Sequence, residues 1–569
     1  MSARARTLSI ALAIVLATVV AYAPSLPGDF IWDDDAHVTQ NELLRDVEGL
    51  GAIWVPRNTP QYYPVTFSAL WAEFQLWGLE PLGYHLVNLA LHALNALLVW
   101  RLFARIRVRP AWLVAALFAL HPVQVESVAW VMELKNVLSG TFYLLAALSY
   151  LGFDARLRAG QRASGRYALA LALFVLALLS KSITCTLPAA LVLWMLYERE
   201  PIGWRRLTPL APLFAVGIAL ALYTAHLEQV HVGAQGHEFD YDLGERISIS
   251  TRALLFYPWK LVAPWPLSFN YPRWTIDTGS LAAWWSAAAV IGLAALALWA
   301  YRRGRRGPAL AAAFYAGTAF PALGLITYYP MLFSFVADHF VYLPSLGVLA
   351  LIAAGAERAV RRLGWPAATS AVVALAAGVM TWFHSASFSD ARTLYRHTIA
   401  GNPGSWLAKS ELGSMLLVDA KSGRADDPAR SLRESRELLQ SAVALKDDHY
   451  MVQYNTALVL FTLGEHAAAL PHAERATELL PEFVRWGDPP MIRGLILNAM
   501  GRPDQAEPWC ERALERDPEN YTANLFLGDR KLARGEKEAA LAHFQAARRA
   551  VPNAASAREV DARIRLSSE

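Results

Sequence analysis

The stretch Phe30-Ile31-Trp32-Asp33-Asp34-Asp35-Ala36-His37 comes just after the chain's first apolar run, Leu8 to Ala23. Three consecutive carboxylates at the end of a membrane span cannot sit in lipid. They must face water, a cation or a polar substrate. At the mouth of a helical bundle such a cluster supplies a general base or binds a metal. The plainer reading is a solvated acidic loop that caps the next helix. The surrounding chain decides between the two.

Of the 569 residues, 55% are hydrophobic, and the mean hydropathy is +0.27. These values fit a multi-span membrane protein joined to a water-soluble part. The 20 Trp and 21 Tyr suit aromatic belts at two membrane interfaces. The net charge of +4 is small, and its positives cluster in short loops, which indicates membrane topology and not nucleic-acid binding. Cys185 and Cys510, one in the apolar half and one in the polar half, imply neither a disulfide framework nor a zinc site. At the N-terminus Arg4 and Arg6 precede the apolar run, and Ala21-Tyr22-Ala23 has the form of a cleavage site. Pro24 argues against cleavage, so the run reads as an uncleaved first span.

Apolar segments then alternate with short basic loops. Eleven spans are expected, near 8–24, 84–104, 111–128, 136–153, 167–180, 186–197, 208–225, 281–300, 309–327, 340–356 and 367–384. The arginines of the N-terminus and of the loops 101–109, 156–166, 199–206, 302–306 and 358–362 place those segments in the cytoplasm. The loops 25–83, 121–135, 181–185, 226–280 and 328–339 carry the acids, histidines and aromatics and fall outside. Parity makes Ala253 to Leu267 an interfacial or re-entrant segment and leaves everything after about residue 388 outside.

That last part is charged and periodic. Gly501 and Gly535 are 34 residues apart, as are Pro518 and Pro552. A period of 34 with small-residue and proline marks is the tetratricopeptide signature. Asn520 to Asn553 is the clearest copy, Gly464 to Gly501 a slightly longer one, and the unit near 405–446 a looser one with an insertion at 421–428. About four helix pairs stack into a short solenoid. The expected fold is therefore all-α: a polytopic transmembrane bundle, residues 1–387, followed by a repeat domain, 388–569.

Six motifs in order, together with the repeats, resemble the transmembrane-and-tetratricopeptide O-mannosyltransferases, polytopic glycosyltransferases of the GT-C class. The motifs are Phe30-Ile31-Trp32-Asp33-Asp34, Tyr63-Pro64-Val65-Thr66, Gly83-Tyr84-His85-Leu86-Val87-Asn88 continuing to His92 and Asn95, His121-Pro122-Val123-Gln124-Val125-Glu126 continuing to Trp130, Leu179-Ser180-Lys181, and Asp338-His339-Phe340-Val341-Tyr342. The resemblance implies a polyprenyl-phosphate-linked sugar donor entering from the bilayer, an acceptor approaching from the outer aqueous side, and an aspartate in the first outer loop that activates the acceptor hydroxyl, alone or with a divalent metal ion. The family's double aspartate falls on Asp33 and Asp34, with Asp34 expected as base and Asp33 as its partner.

A lipid-phosphate leaving group needs cations near the membrane plane. Lys135 and Lys181 sit at outer span ends and suit it; the plainer reading is snorkelling to the interface. His85, His121 and His339 lie at similar depth, with Glu126 and Asp338 beside the same cavity. His92 is deeper and reads as a hydrogen-bonded bundle residue. His339 stands where many family members carry arginine, and Ser182 where many carry glutamate, so the sugar is left open. The expected activity is sugar transfer to a hydroxyl of a protein or other extracytoplasmic acceptor, with the repeats holding the acceptor. The alternatives are a non-catalytic membrane receptor or assembly scaffold, and a transporter of lipid-linked sugars. The Ala-, Arg- and Leu-rich composition suggests a bacterial inner membrane; an endoplasmic-reticulum membrane fits the same topology.

Overall fold

A computed structural model of the chain describes residues 2–230, 236–365, 367–481, 486–551 and 553–568. These residues form helices and connecting turns, with no strand among them. They divide into two compact units, Met1–Asn402 and Pro403–Glu569. The division lies beyond residue 388 because the helix Ala391–Gly401 stays with the first unit. Asp29 N–H donates to the Ser389 carbonyl, and Asn402 Nδ2 to the Asn270 carbonyl, both at 3.0 Å.

Each of the eleven expected segments of the first unit falls on a helix. Among the described residues, six helical segments are long and apolar enough to cross a bilayer: Arg4–Ser25, Pro81–Arg105, Val131–Arg158, Trp204–Leu227, Leu281–Arg302 and Ala371–Phe388. A seventh crossing forms if Ala111–Leu120 and Pro122–Ala129, bent by 54° at His121, count together. Ser164–Ser180 and Ser182–Glu198 are apolar but shorter. The segments 309–327 and 340–356 correspond to Arg306–Ala319 and Ser345–Arg362, whose arginine-bearing ends reduce their apolar length. The segment near 253–267 is the end of the helix Leu243–Val262 and the turn after it, and it does not qualify as a crossing.

Polar side chains from the motifs tie this bundle together. His92 Nδ1 lies 2.9 Å from the Tyr342 hydroxyl, and its Nε2 lies 3.1 Å from the Ala119 carbonyl. Asn95 donates to the Val137 carbonyl and to the Tyr342 hydroxyl, and accepts from Thr141 at 2.8 Å. Gln124 donates to Ser345 Oγ at 2.9 Å. In a low-dielectric interior each such bond fixes the register between helices, because an unmade one is costly.

The second unit is four antiparallel helix pairs and a last helix, Ala554–Ser568. The pairs are Trp406–Ser422 with Pro428–Leu445, Tyr450–Thr462 with His466–Leu479, Asp488–Ala499 with Pro503–Arg516, and Tyr521–Ala533 with Lys537–Arg549. The period is set by small residues where the helices of a pair touch. A methyl group at Gly413 would lie 2.7 Å from Leu439, one at Gly494 2.6 Å from Cys510 Sγ, and one at Gly528 2.5 Å from Phe544. Gly464, Gly501 and Gly535 close the intra-pair turns at φ of 78°, 75° and 77°, which a side chain would strain. Pro552, one mark of the 34-residue period, lies outside the described residues.

Candidate functional site

The acidic tripeptide follows a turn fixed at Trp32. Trp32 adopts φ 48°, unusual for a bulky residue. Aromatic packing keeps it there. Its ring stacks on Trp130 at 5.5 Å and meets Phe269 and Phe333 edge-on at 5.1 and 5.6 Å. This turn sets the two aspartates in different surroundings.

Asp34 is fully buried, and both its oxygens are engaged: Oδ2 accepts from Ile31 N–H at 2.9 Å and Oδ1 from Met132 N–H at 2.8 Å. Burial, with Asp33 beside it, pushes the Asp34 carboxyl well above the usual carboxylate range. Asp33 retains 30% side-chain exposure, and its Oδ1 is a buried atom with no hydrogen-bond partner among the described residues. His37 Nδ1 sits 2.7 Å from the Asp33 carbonyl, and its Nε2 likewise has no partner among the described residues. Burial pushes the His37 ring below its usual value, so it is neutral at pH 7.

Through Met132, Asp34 is fastened to the segment that carries the lysines. Lys135 Nζ lies 3.0 Å from Glu133 Oε1, and Lys181 Nζ lies 3.2 Å from Glu133 Oε2. All three side chains are buried. The two ammonium groups thus share one carboxylate in a low-dielectric place, with Asp33 acting as a further negative charge on Lys135 and Glu126 on Lys181. Asn136 Nδ2 reaches the same carboxylate and also the His339 carbonyl, at 2.8 Å. Thr66 Oγ1 donates to the Ser180 carbonyl at 2.9 Å and fixes the backbone before Lys181. Asn88 Nδ2 donates to the carbonyls of Trp130 and Val131, holding the helix break that lets Glu133 and Lys135 turn inward.

The other sequence-derived candidates separate. His339 Nδ1 is 2.7 Å from Glu126 Oε1, and its N–H donates to Glu126 Oε2, so these two form a pair beside Trp130. Asp338 accepts from the Tyr271 hydroxyl at 3.0 and 3.1 Å; burial, and then Glu126, pushes its carboxyl well up. His121 is not in the lysine cluster: Nε2 lies 3.0 Å from the Leu261 carbonyl, and Nδ1 accepts from Val123 N–H, which makes it a pin at the helix bend. His85 is buried against Gly28, where a methyl group would lie 3.2 Å from Nε2.

Sequence reading passed over Glu133, Asn136 and Tyr271. For Glu133 a signal existed: a carboxylate two residues from Lys135 in an otherwise apolar stretch is costly without a partner. Asn136 and Tyr271 carry no such signal, because amides and tyrosines are ordinary at span ends. Among the described residues no group of three or more His, Cys, Asp or Glu side chains is gathered as a metal ion requires. Both Asp34 oxygens are spent on backbone donors, whereas Asp33 Oδ1 has no partner among the described residues.

Two tetratricopeptide-repeat family models match residues 421–482 and 497–564. Over 158 residues, 23% of the chain, it is 31% identical to the human protein O-mannosyl-transferase TMTC4, covering 21% of that protein. Over 172 residues, 24% of the chain, it is 31% identical to Drosophila melanogaster protein O-mannosyl-transferase Tmtc3, covering 18% of it. The matched region thus spans about a fifth of the length of these curated relatives. Among solved structures, the tetratricopeptide protein YrrB is 19% identical, with 31% of this chain and 83% of that chain covered and a TM-score of 0.25. The chain thus joins helices long and apolar enough to cross a membrane to tetratricopeptide repeats, and over about a quarter of its length it is similar to proteins named O-mannosyl-transferases.

Proposed function

We propose that this protein is a membrane glycosyltransferase of GT-C type. It transfers a sugar from a polyprenyl-phosphate carrier to a hydroxyl of a protein acceptor outside the cytoplasm. The observation that carries the reading is one backbone link. Asp34 binds Met132 N–H, and so sets Asp33 beside the segment whose Glu133 holds Lys135 and Lys181. A free carboxylate oxygen next to a buried cationic pair is what the two ends of a displacement at an anomeric carbon need.

In the reaction the Asp33 carboxylate takes the proton of the acceptor hydroxyl. The acceptor oxygen forms the new bond to the anomeric carbon, and the bond to the carrier phosphate breaks with inversion. Lys135 and Lys181 hold the departing lipid phosphate. This assigns the base to Asp33 and makes Asp34 the residue that positions it, reversing the order expected from the motif alone. Neutral His37 stacks on Phe67 at 5.7 Å and offers Nε2 to the acceptor or sugar. Glu126–His339 and Asp338–Tyr271 shape the donor side. Mannose, the sugar in the relatives' names, is the first donor to test.

The N-terminus and arginine-rich loops lie in the cytoplasm in this reading. The repeats lie on the outer side, in a bacterial inner membrane, and take the acceptor chain on their concave face. The test is transfer by purified full-length protein from a panel of polyprenyl-phosphate sugars into a membrane extract. Transfer from one donor, with Lys181→Met raising that donor's KM, supports the reading. Absence of transfer from every donor, with tight binding of a partner by the repeats, supports the scaffold alternative.

A further inference from the structure

An apolar cavity lies in the first unit, away from the carboxylates of the candidate site. Its volume is about 310 Å³, within the range of ligand-sized pockets. Its wall is almost wholly apolar, built from Phe103, Tyr143, Trp194, Phe314 and Ala350 on five different helices. One charged residue lines it, Arg109, and no carboxylate among the described residues does. Arg109, Pro308 and Leu351 line it and are exposed, so the cavity opens at the side of the bundle. It reaches the arginine-rich end, where Pro81–Arg105 stops and Arg306–Ala319 starts.

The local ion pairs explain why Arg109 has this rim to itself. Glu198 follows Tyr197, a wall residue, but is engaged by Arg158 and Arg206. Arg306, next to Gly307 of the wall, donates to the Leu196 carbonyl at 3.1 Å and adds positive charge. An apolar crevice open to the bilayer and rimmed by arginine accommodates one acyl chain inside and one anionic head outside.

We propose that this cavity binds a single anionic glycerophospholipid, one acyl chain lying between Tyr143 and Phe314 and its phosphate against Arg109. The proposal rests on the membrane-embedded reading of the first unit and not on the sugar-transfer reaction. The experiment is native mass spectrometry of the full chain in detergent, titrated with phosphatidylglycerol or phosphatidylcholine of identical chains. Wild type is expected to retain one phosphatidylglycerol with about fivefold preference over phosphatidylcholine, the size of one arginine contact at a lipid surface. Arg109→Gln, at an exposed position, is expected to lose that preference while still retaining lipid. Ala350→Trp, which fills the cavity, is expected to retain none. Equal retention of the two lipids by wild type, an unchanged preference in Arg109→Gln, or displacement of the bound lipid by polyprenyl phosphate would overturn the proposal.

Discussion

Glu133→Gln removes the counter-charge of the proposed phosphate site while keeping its shape. Lys135 Nζ and Lys181 Nζ lie 3.0 and 3.2 Å from the two carboxylate oxygens, and all three groups are buried. At an effective dielectric of about 20, each attraction is roughly 5 kcal/mol before desolvation is counted. Removing one member of a buried ion pair costs about 3–5 kcal/mol net, because the remaining charge stays buried. Here two ammonium groups are left facing each other, so the upper half of that range is expected. The assay is thermal unfolding of the full chain in detergent at pH 7, with Glu133→Gln/Lys135→Met as the second variant. Removing one lysine along with the carboxylate relieves the repulsion, and the double variant should recover at least half of the loss. A loss below about 1 kcal/mol in the single variant would mean that the lysines find another counter-charge. A double variant less stable than the single would refute the shared-carboxylate argument in the same way.

Other expectations are independent of that cluster. Asp154→Asn should cost about 3–5 kcal/mol in the same assay, because buried Arg206 grips Asp154 at 2.8 and 2.9 Å and Arg158 adds a contact at 2.9 Å; an unchanged unfolding temperature would contradict it. Burial pushes Glu73 from its ordinary 4.5 up to about 8, so the folded state holds the proton more tightly than the unfolded one. Stability should therefore fall as pH rises from about 4.5 through about 8. Glu73→Gln should flatten that dependence and be more stable than wild type above pH 8, which a stability–pH curve checks. Gly528→Val should loosen the last repeat pair by about 1–3 kcal/mol, since a methyl group there would already lie 2.5 Å from Phe544; limited proteolysis should then cut at the repeats before the membrane unit.

The helices were legible because apolar runs and a 34-residue period are properties of the chain itself. So was the role of His92, whose spacing from His85 and Asn88 along an apolar helix left a bundle hydrogen bond as its simplest use. The individual duties of the acids were not legible. Asp33 and Asp34 are chemically identical in sequence, and they differ only because Trp32 turns the backbone and Met132 offers its N–H from 98 residues away. Glu133 joins Lys135 to Lys181 across 48 residues, a pairing set by how Ser164–Ser180 packs and not by any local pattern. His121 is expected on the donor side from its depth. It sits at the 54° bend, where its Nδ1 satisfies the freed Val123 N–H and its Nε2 reaches the Leu261 carbonyl of another helix.

The central claim is that Asp33 is the base and Asp34 positions it. The most direct measurement is the rate of sugar transfer by wild type, Asp33→Asn and Asp34→Asn over a range of pH, with the folding of each checked by unfolding temperature. The account predicts that Asp33→Asn retains wild-type stability and donor binding but loses transfer by about 10²–10⁴-fold, the usual contribution of a general base. Asp34→Asn should lose stability together with activity, since a carboxyl group whose two oxygens both accept backbone N–H groups is replaced by an amide with one oxygen. Transfer by Asp33→Asn at the wild-type rate, with none by a fully stable Asp34→Asn, would contradict it.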